Sequence, residues 1–422
     1  MTGTKKTNFR WAVVALLFFA TTVNYFDRFL MGILAPLLET EIGWTEQEYG
    51  YIIASFQFAY AIGTLLMGYV IDRLGTRWGF TLAVSLWSVA SMLHAAARSW
   101  IGFAFARIGL GLSEAGNFPA AIKTVAEWFP KKERAFATGL FNGGSNVGAI
   151  LAPISIPAII AWMGSWKWVF ILSGFLGFFW LIFWLMLYNN PKKSRFVNQA
   201  EIDYIENAEP DTGATKISWF RLLRYRQTWA VAFGKLLADP VWWFYLFWGA
   251  KFLNTKFGID LKDMALPLVS IYVIADLGGI TGGGISSLLM KQGKSVNFAR
   301  KITMLGSALL VLPVMTVPYY SSLTISVALI ALAAAAHCSW SANIFTVISD
   351  LFPKQVVGSV TGFATTVSTF GGMLTALLIG YALNEDGEAG YKIAFAIASC
   401  GYLAGIAVIH LLVPKMKPIE KI

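Results

Sequence analysis

Arg107 and Glu114 stand seven residues apart in an apolar, glycine-rich stretch, FAFARIGLGLSEAGNFP, at 103–119. An ion at mid-membrane depth costs ~2.5–3.5 kcal/mol on insertion scales, and its default reading is a substrate or proton path. Seven residues make nearly two helical turns, so both ions fall on almost the same face. A guanidinium can hold a carboxylate through two parallel hydrogen bonds. A carboxylic acid in a low-dielectric site resists ionisation and can carry a proton near neutral pH. The plainer alternative is an ion pair that locks two helices. Asn24-Tyr-Phe-Asp27-Arg28 repeats the acid and the guanidinium inside an earlier apolar run. Tyr25 and Arg28, three apart, can share a helix face.

Further polar breaks occur in other apolar runs. Lys235 and Asp239 form an i,i+4 pair, with Pro240 able to break the helix and Trp242, Trp243 and Tyr245 beyond it. The pair either serves function or neutralises itself. Trp243 can stack on the apolar face of a sugar ring, although a membrane tryptophan is more often an interface anchor. His337, Trp340, Ser341 and Asn343 interrupt an alanine-rich run, and Asn142, Ser145 and Asn146 add polar candidates to another. No histidine or cysteine spacing suits a metal, and Cys338 and Cys400 give no disulfide framework. Gly293-Lys294-Ser295 ends like a P-loop, but Leu288 stands where its first glycine is required, so ATP binding is rejected.

The elements that must position these residues are long and apolar. Of 422 residues, 57% are hydrophobic and 13% charged, where soluble domains carry roughly 25% charged. Apolar runs of bilayer length recur throughout. The expected crossings are one long segment through Asn24–Arg28 to Leu38, then 49–71, 78–98, 100–128, 135–162 and 168–189. After a polar stretch come 227–253, 264–290, 298–318, 323–352, 356–383 and 391–413. The fold class is therefore an all-α integral membrane protein of twelve transmembrane helices in two six-helix halves, 1–189 and 227–422, joined by a linker at 190–226. A net charge of +10 is read as cytoplasmic loops obeying the positive-inside rule, not as nucleic-acid binding. Basic residues in alternate loops, in the linker and at both ends place both termini in the cytoplasm. The opposite loops are acidic or nearly uncharged, apart from Lys251, Lys256 and Lys262. An internal repeat supports two halves: Glu127-Trp-Phe-Pro-Lys131 matches Asp350-Leu-Phe-Pro-Lys354 at an offset of 223. The same offset sets His337 opposite Glu114 and Ile330 opposite Arg107.

Gly68-Tyr-Val-Ile-Asp72-Arg73-Leu-Gly75-Thr-Arg77 resembles the signature loop of the major facilitator superfamily, whose acid can pair with cations at a helix end and hold the cytoplasmic side shut. The matching loop near Met290–Lys294 lacks the acid. Asn24 to Arg28, Arg107 to Pro119 and Glu127 to Arg134 resemble the anion:cation symporter family. Residues 237–245 and 337–353 are similar to its hexuronate-transporter branch. The resemblance implies the major facilitator fold, with Arg28 and Arg107 as carboxylate binders and Asp27 and Glu114 as proton carriers. It also matches Tyr60 to a cavity-lining tyrosine. The expected activity is proton-coupled import of a small organic anion, a hexuronate, by alternating access in the bacterial inner membrane, with sodium the alternative driving ion. No cofactor, nucleic acid or obligate protein partner is expected. The alternatives are a galactonate- or glucarate-type symporter, an organic-phosphate exchanger, which Asp27 and Glu114 argue against, and a transporter-like sensor. An enzyme is disfavoured by the lack of a nucleophile or metal constellation.

Overall fold

The structure, a computed structural model, describes residues 7–206 and 219–419. The basic Lys5 and Lys6 and linker residues 207–218 lie outside the described residues, as do the side chains of Lys131 and Lys132. The helices in chain order are α1 (Arg10–Ile42), α2 (Glu46–Leu93), α3 (Trp100–Glu114), α4 (Asn117–Trp128), α5 (Lys131–Met163), α6 (Lys167–Leu187) and α7 (Gln199–Glu206). They continue with α8 (Trp219–Leu222), α9 (Arg226–Phe257), α10 (Ala265–Lys291), α11 (Val296–Val311), α12 (Leu323–Leu351), α13 (Lys354–Asp386) and α14 (Glu388–Leu412). Helix is the economical solution here, because each backbone polar group finds its partner within its own segment.

Among the described residues, nine helical runs are long and apolar enough to cross a bilayer. One of these holds two crossings, because Gly75 (φ 77°) breaks α2. Only glycine adopts that backbone cheaply, so the expected segments 2 and 3 meet at a tight turn. Two further crossings fall outside the nine: one is split between α3 and α4, each too short to span alone, and α9 carries Lys235 and Asp239 within its apolar run. Together they make the twelve of the expected fold. The fourth crossing is two helices rather than one, α3 ending at Glu114 and α4 starting at Asn117. Pro240 does not break α9, which runs unbroken from Arg226 to Phe257; membrane helices tolerate proline where neighbours satisfy the freed carbonyl. The linker is not all loop, since α7 and α8 lie within it.

Local sequence explains several ends. Ser99, Ser295 and Ser322 cap α3, α11 and α12 by accepting from the backbone N–H three residues on. Gly164 and Gly258, both left-handed, stop α5 and α9. The two copies of the repeated motif form the same junction. Phe129 and Phe352 donate their N–H back to Val125 and Ile348, and Pro130 and Pro353 then open α5 and α13.

Packing divides the chain into two units. The first is Met1–Met31 with Phe58–Gly213; the second is Gly32–Gln57 with Ala214–Ile422. The first holds α1 as far as Met31, α2 from Phe58, and α3 to α7. It is tied at one end by Arg10, which pairs with Glu133 (3.0 Å) and with Glu201 of α7 (2.9 Å). In the second, α10 lies directly on α12: a Cβ on Gly278 or Gly282 would sit 2.2 Å from the Ala335 carbonyl oxygen or 2.0 Å from the Ser339 hydroxyl. The same unit holds the connection after α1, where Lys251 pairs with Glu39 (2.7 Å) and Glu46 (2.8 Å). Tyr49 donates to the Phe247 carbonyl in that unit as well (2.7 Å).

Candidate functional site: a paired-ion cluster and an aromatic cluster

Adjacent residues on a helix point about 100° apart, so Asp27 and Arg28 reach different neighbours. Asp27, 1% exposed, accepts hydrogen bonds from Ser91 of α2 (2.7 Å) and Ser173 of α6. Arg28 turns to α3, and its Nε and Nη2 lie 3.2 and 3.1 Å from Glu114 Oε2. Nη2 also donates to Asn24 Oδ1 (3.3 Å). The guanidinium lies 4.7 Å from the Tyr25 ring and 4.6 Å from the Tyr60 ring, distances at which each ring adds cation–π attraction.

Arg107 and Glu114 do share a face, but seven residues separate them by ~10 Å along the axis. Each therefore looks to other helices. Glu114 takes Arg28 as partner. Arg107, fully buried, lies within electrostatic range of Asp27, Glu114 and His94. His94, also buried, stacks flat on Phe170 at 4.8 Å. Two guanidinium ions and two carboxylates thus occupy one buried polar island in the first unit. With both acids ionised the four charges cancel; an added anion leaves a net negative charge until one acid takes a proton. Asn142 and Asn146 are exposed, and between them Ser145 is buried, bonding the Asn142 carbonyl and Asn146 Oδ1.

The signature turn is built around pairings in the same unit. Asp72 meets Lys123 of α4 at 2.8 Å, and Lys123 also donates to the Ile71 carbonyl. Arg73 lies over Tyr69 (4.8 Å), Arg77 donates to the Leu185 carbonyl (2.7 Å), and half-buried Gly68 lies four residues before Asp72. Glu127 of the repeated motif accepts from Thr76 and Tyr188, both at 2.6 Å. Burial, and then the Glu127 carboxylate, push the Tyr188 phenol above its usual range. In the second unit Asp350, the counterpart of Glu127, instead pairs with Arg300 at 2.9 Å.

The second unit carries an aromatic cluster. Trp242 of α9 stacks on His337 of α12, with centroids 5.1 Å apart and planes at 11°. His337 Nδ1 lies 2.8 Å from the Tyr402 hydroxyl of α14. Trp340 is fully buried against Tyr402 and Gly405. Asn343 spends its amide N–H groups on the Ser339 and Gly282 carbonyls, tying α12 to α10. Ser341 is half-buried. Trp243 stacks on Phe247 (5.8 Å, 9°), one helical turn along α9. Lys235 and Asp239 pair directly at 2.8 Å, and the ammonium also lies 4.4 Å from the Phe345 ring.

Sequence reasoning did not single out Ser91, Ser173, His94, Trp242, Tyr402 or Asp276 as site residues. Serines are too common to signal anything alone, and which of two adjacent tryptophans reaches His337 needs the helix's rotation. Asp276 left a usable signal, a lone acid in an apolar run. Among the described residues, no group of three or more His, Cys, Asp or Glu side chains could hold a metal ion.

Membrane-length helices enclosing paired ions, with aromatic and amide groups on other crossings, define a multi-pass membrane transport protein. The chain belongs to the Major Facilitator Superfamily, whose family model matches residues 17–376; it is a family of transporters, not of enzymes. It is 34% identical over 418 residues to the hexuronate transporter of Escherichia coli (strain K12), covering 97% of this chain and 95% of that one. To the galacturonate transporter of Dickeya chrysanthemi it is 35% identical over 331 residues, covering 77% of this chain and 95% of that one. In fold it is similar to a bacterial homologue of the human lysosomal transporter Spinster in an inward-facing, occupied conformation. That TM-score is 0.77, at 18% identity, with 98% of each chain covered.

Proposed function

We propose that the protein is a proton-coupled symporter that imports a sugar-acid anion, a hexuronate, by alternating access. The observation that carries the proposal is the neutral island of Asp27, Arg28, Arg107 and Glu114. With both acids ionised, Arg28 is engaged by Glu114 and has little to offer a substrate. A proton on Glu114 releases the guanidinium for an incoming carboxylate and keeps the island's net charge unchanged. Substrate and proton then favour each other's binding, and linkage makes the effect reciprocal. The similarity to hexuronate and galacturonate transporters over most of the chain supports the substrate class.

The remaining assignments follow from this reading. Tyr25 and Tyr60 hold the Arg28 guanidinium; His337, Trp243, Ser341 and the Asn142–Asn146 group recognise hydroxyls and ring faces, and the fully buried Asn343 acts by holding α12 on α10. Trp340 acts through Tyr402. Lys235 and Asp239 are a secondary charged pair. Gly68, Asp72, Arg73, Gly75 and Arg77 form a cytoplasmic gate. The protein lies in the bacterial inner membrane with both termini cytoplasmic, as halves 1–189 and 227–422 joined by 190–226. It needs protons but no cofactor and no protein partner. The test is uptake into proteoliposomes of glucuronate, galacturonate, galactonate and glucarate under an imposed pH or sodium gradient. Accumulation of a hexuronate driven by pH alone is expected. Accumulation driven by sodium alone overturns the coupling, and preference for galactonate or glucarate overturns the substrate.

A further inference from the structure

Asp276 is an acid that the proton and carboxylate chemistry above does not use. It stands near the middle of α10 (Ala265–Lys291), about half-way across the bilayer. An ion at that depth is expensive and is retained for function by default. Among the described residues, none donates a hydrogen bond to Asp276 or pairs with it, and the side chain is only half-buried.

The rotation of α10 shows what Asp276 does not face. Val273, Leu277, Ile280, Ile285 and Leu288 are all exposed, Ile280 by 73%, and make up a wholly apolar arc that suits hydrocarbon. The packed arc holds Gly278 and Gly282 against α12. Tyr272, Asp276, Gly279 and Gly283 fall between these arcs, spaced i, i+4, i+7 and i+11 along one strip. Glycine clears the strip on one side of the carboxylate: a Cβ on Gly283 would meet nothing within 4 Å, and one on Gly279 only Cys338. On the other side, Tyr272 meets Trp242 edge-on at 6.2 Å, and Trp242 carries the stack on His337. The strip therefore joins an aromatic platform to an open carboxylate.

We propose that Asp276, with Trp242 and Tyr272, forms a polyol-recognition subsite in which its carboxylate accepts hydrogen bonds from ligand hydroxyls. The inference rests on the sugar-acid reading above and deepens it. A carboxylate offers about four lone-pair sites. Hydroxyl-to-carboxylate bonds are charge-assisted and stronger than neutral ones. Trp242 is half-buried and covered by His337 on one face, so it is the opposite face that suits the apolar side of a sugar ring. The subsite repels the ligand's own carboxylate, so it selects the hydroxyl-bearing end. A simple carboxylate without hydroxyls gains nothing from it.

Binding of glucuronate and of its monodeoxy analogues to purified wild type, Asp276→Asn and Asp276→Ala tests this, with thermal melting to confirm folding. Loss of a hydrogen bond to a charged group corresponds to about a 10- to 100-fold weaker affinity. Both variants should bind glucuronate that much more weakly. At least one monodeoxy analogue should lose little further affinity, because the bond it lacks is the one removed. Unchanged ratios among all analogues overturn the subsite. So does normal binding coupled to lost proton-driven accumulation, which makes Asp276 an ion-coupling acid. If the wild type binds no sugar acid, the functional reading itself fails and takes this inference with it. Failure confined to the variants' ratios overturns the subsite alone.

Discussion

Arg28 and Glu114 are 3% and 0% exposed, and their direct pairing helps compensate each for leaving water. Removing one partner of a buried pair typically costs about 3–5 kcal/mol, because the other charge is stranded. Arg28→Ala should therefore lower the unfolding midpoint sharply, and adding Glu114→Gln should recover most of the loss. A double variant no more stable than the single would mean that Glu114 is not the group stranded. Glu114→Gln alone imitates the protonated acid. It should keep glucuronate binding and counterflow exchange but lose accumulation under an imposed pH gradient. Full proton-driven accumulation would move the coupling role to Asp27 or His337. Arg107→Lys keeps the charge but not the planar fork, and should weaken glucuronate binding at least tenfold while the fold persists. Equal affinity would exclude a bidentate role for Arg107.

At the scale of elements, close approach does the organising. α10 and α12 touch through Gly278 and Gly282, where any side chain would collide with α12. Overpacking usually costs about 1–3 kcal/mol. Gly282→Leu should exceed that range, since its Cβ alone falls 2.0 Å from the Ser339 hydroxyl. Gly283→Leu, on the open strip one residue on, should leave the melting temperature almost unchanged. Equal melting losses in the two would mean that the α10–α12 contact does not set the helix spacing. The connection between α1 and α2 depends on a different device. Lys251, 2% exposed, compensates Glu39 and Glu46 together. Lys251→Met should leave two carboxylates facing each other, and hydrogen exchange over 39–50 should quicken while exchange at the Arg28–Glu114 island stays slow.

For the molecule as a whole, transport requires changes that no single pairing governs. The Asp72 side chain is 75% exposed in its pair with Lys123, and exposed pairs contribute only about 0–1 kcal/mol. Asp72→Asn should leave melting and glucuronate affinity nearly unchanged while slowing turnover in proteoliposomes. Lost binding with normal turnover of the remaining active fraction would place Asp72 in the ligand site instead. Neutral glucose should not compete with glucuronate in the wild type, because the island's gain comes from charge.

Bilayer length, charge content and the Glu127/Asp350 repeat made twelve crossings legible in the sequence, because hydrocarbon admits few ways to satisfy a backbone. The same physics flagged Asp27, Arg28, Arg107 and Glu114, since ions in apolar runs are too costly to be incidental. Helical spacing could say which residues share a face on one helix, but not which helix that face meets. Only the tertiary structure paired Glu114 with Arg28 rather than with its own-helix neighbour Arg107. It alone turned Asp27 toward Ser91 and Ser173, buried Trp340, and set Trp242 rather than Trp243 on His337. Each of these depends on the rotation of a helix about its axis. That rotation is fixed by contacts such as Gly282 on Ser339, which join residues far apart in the chain.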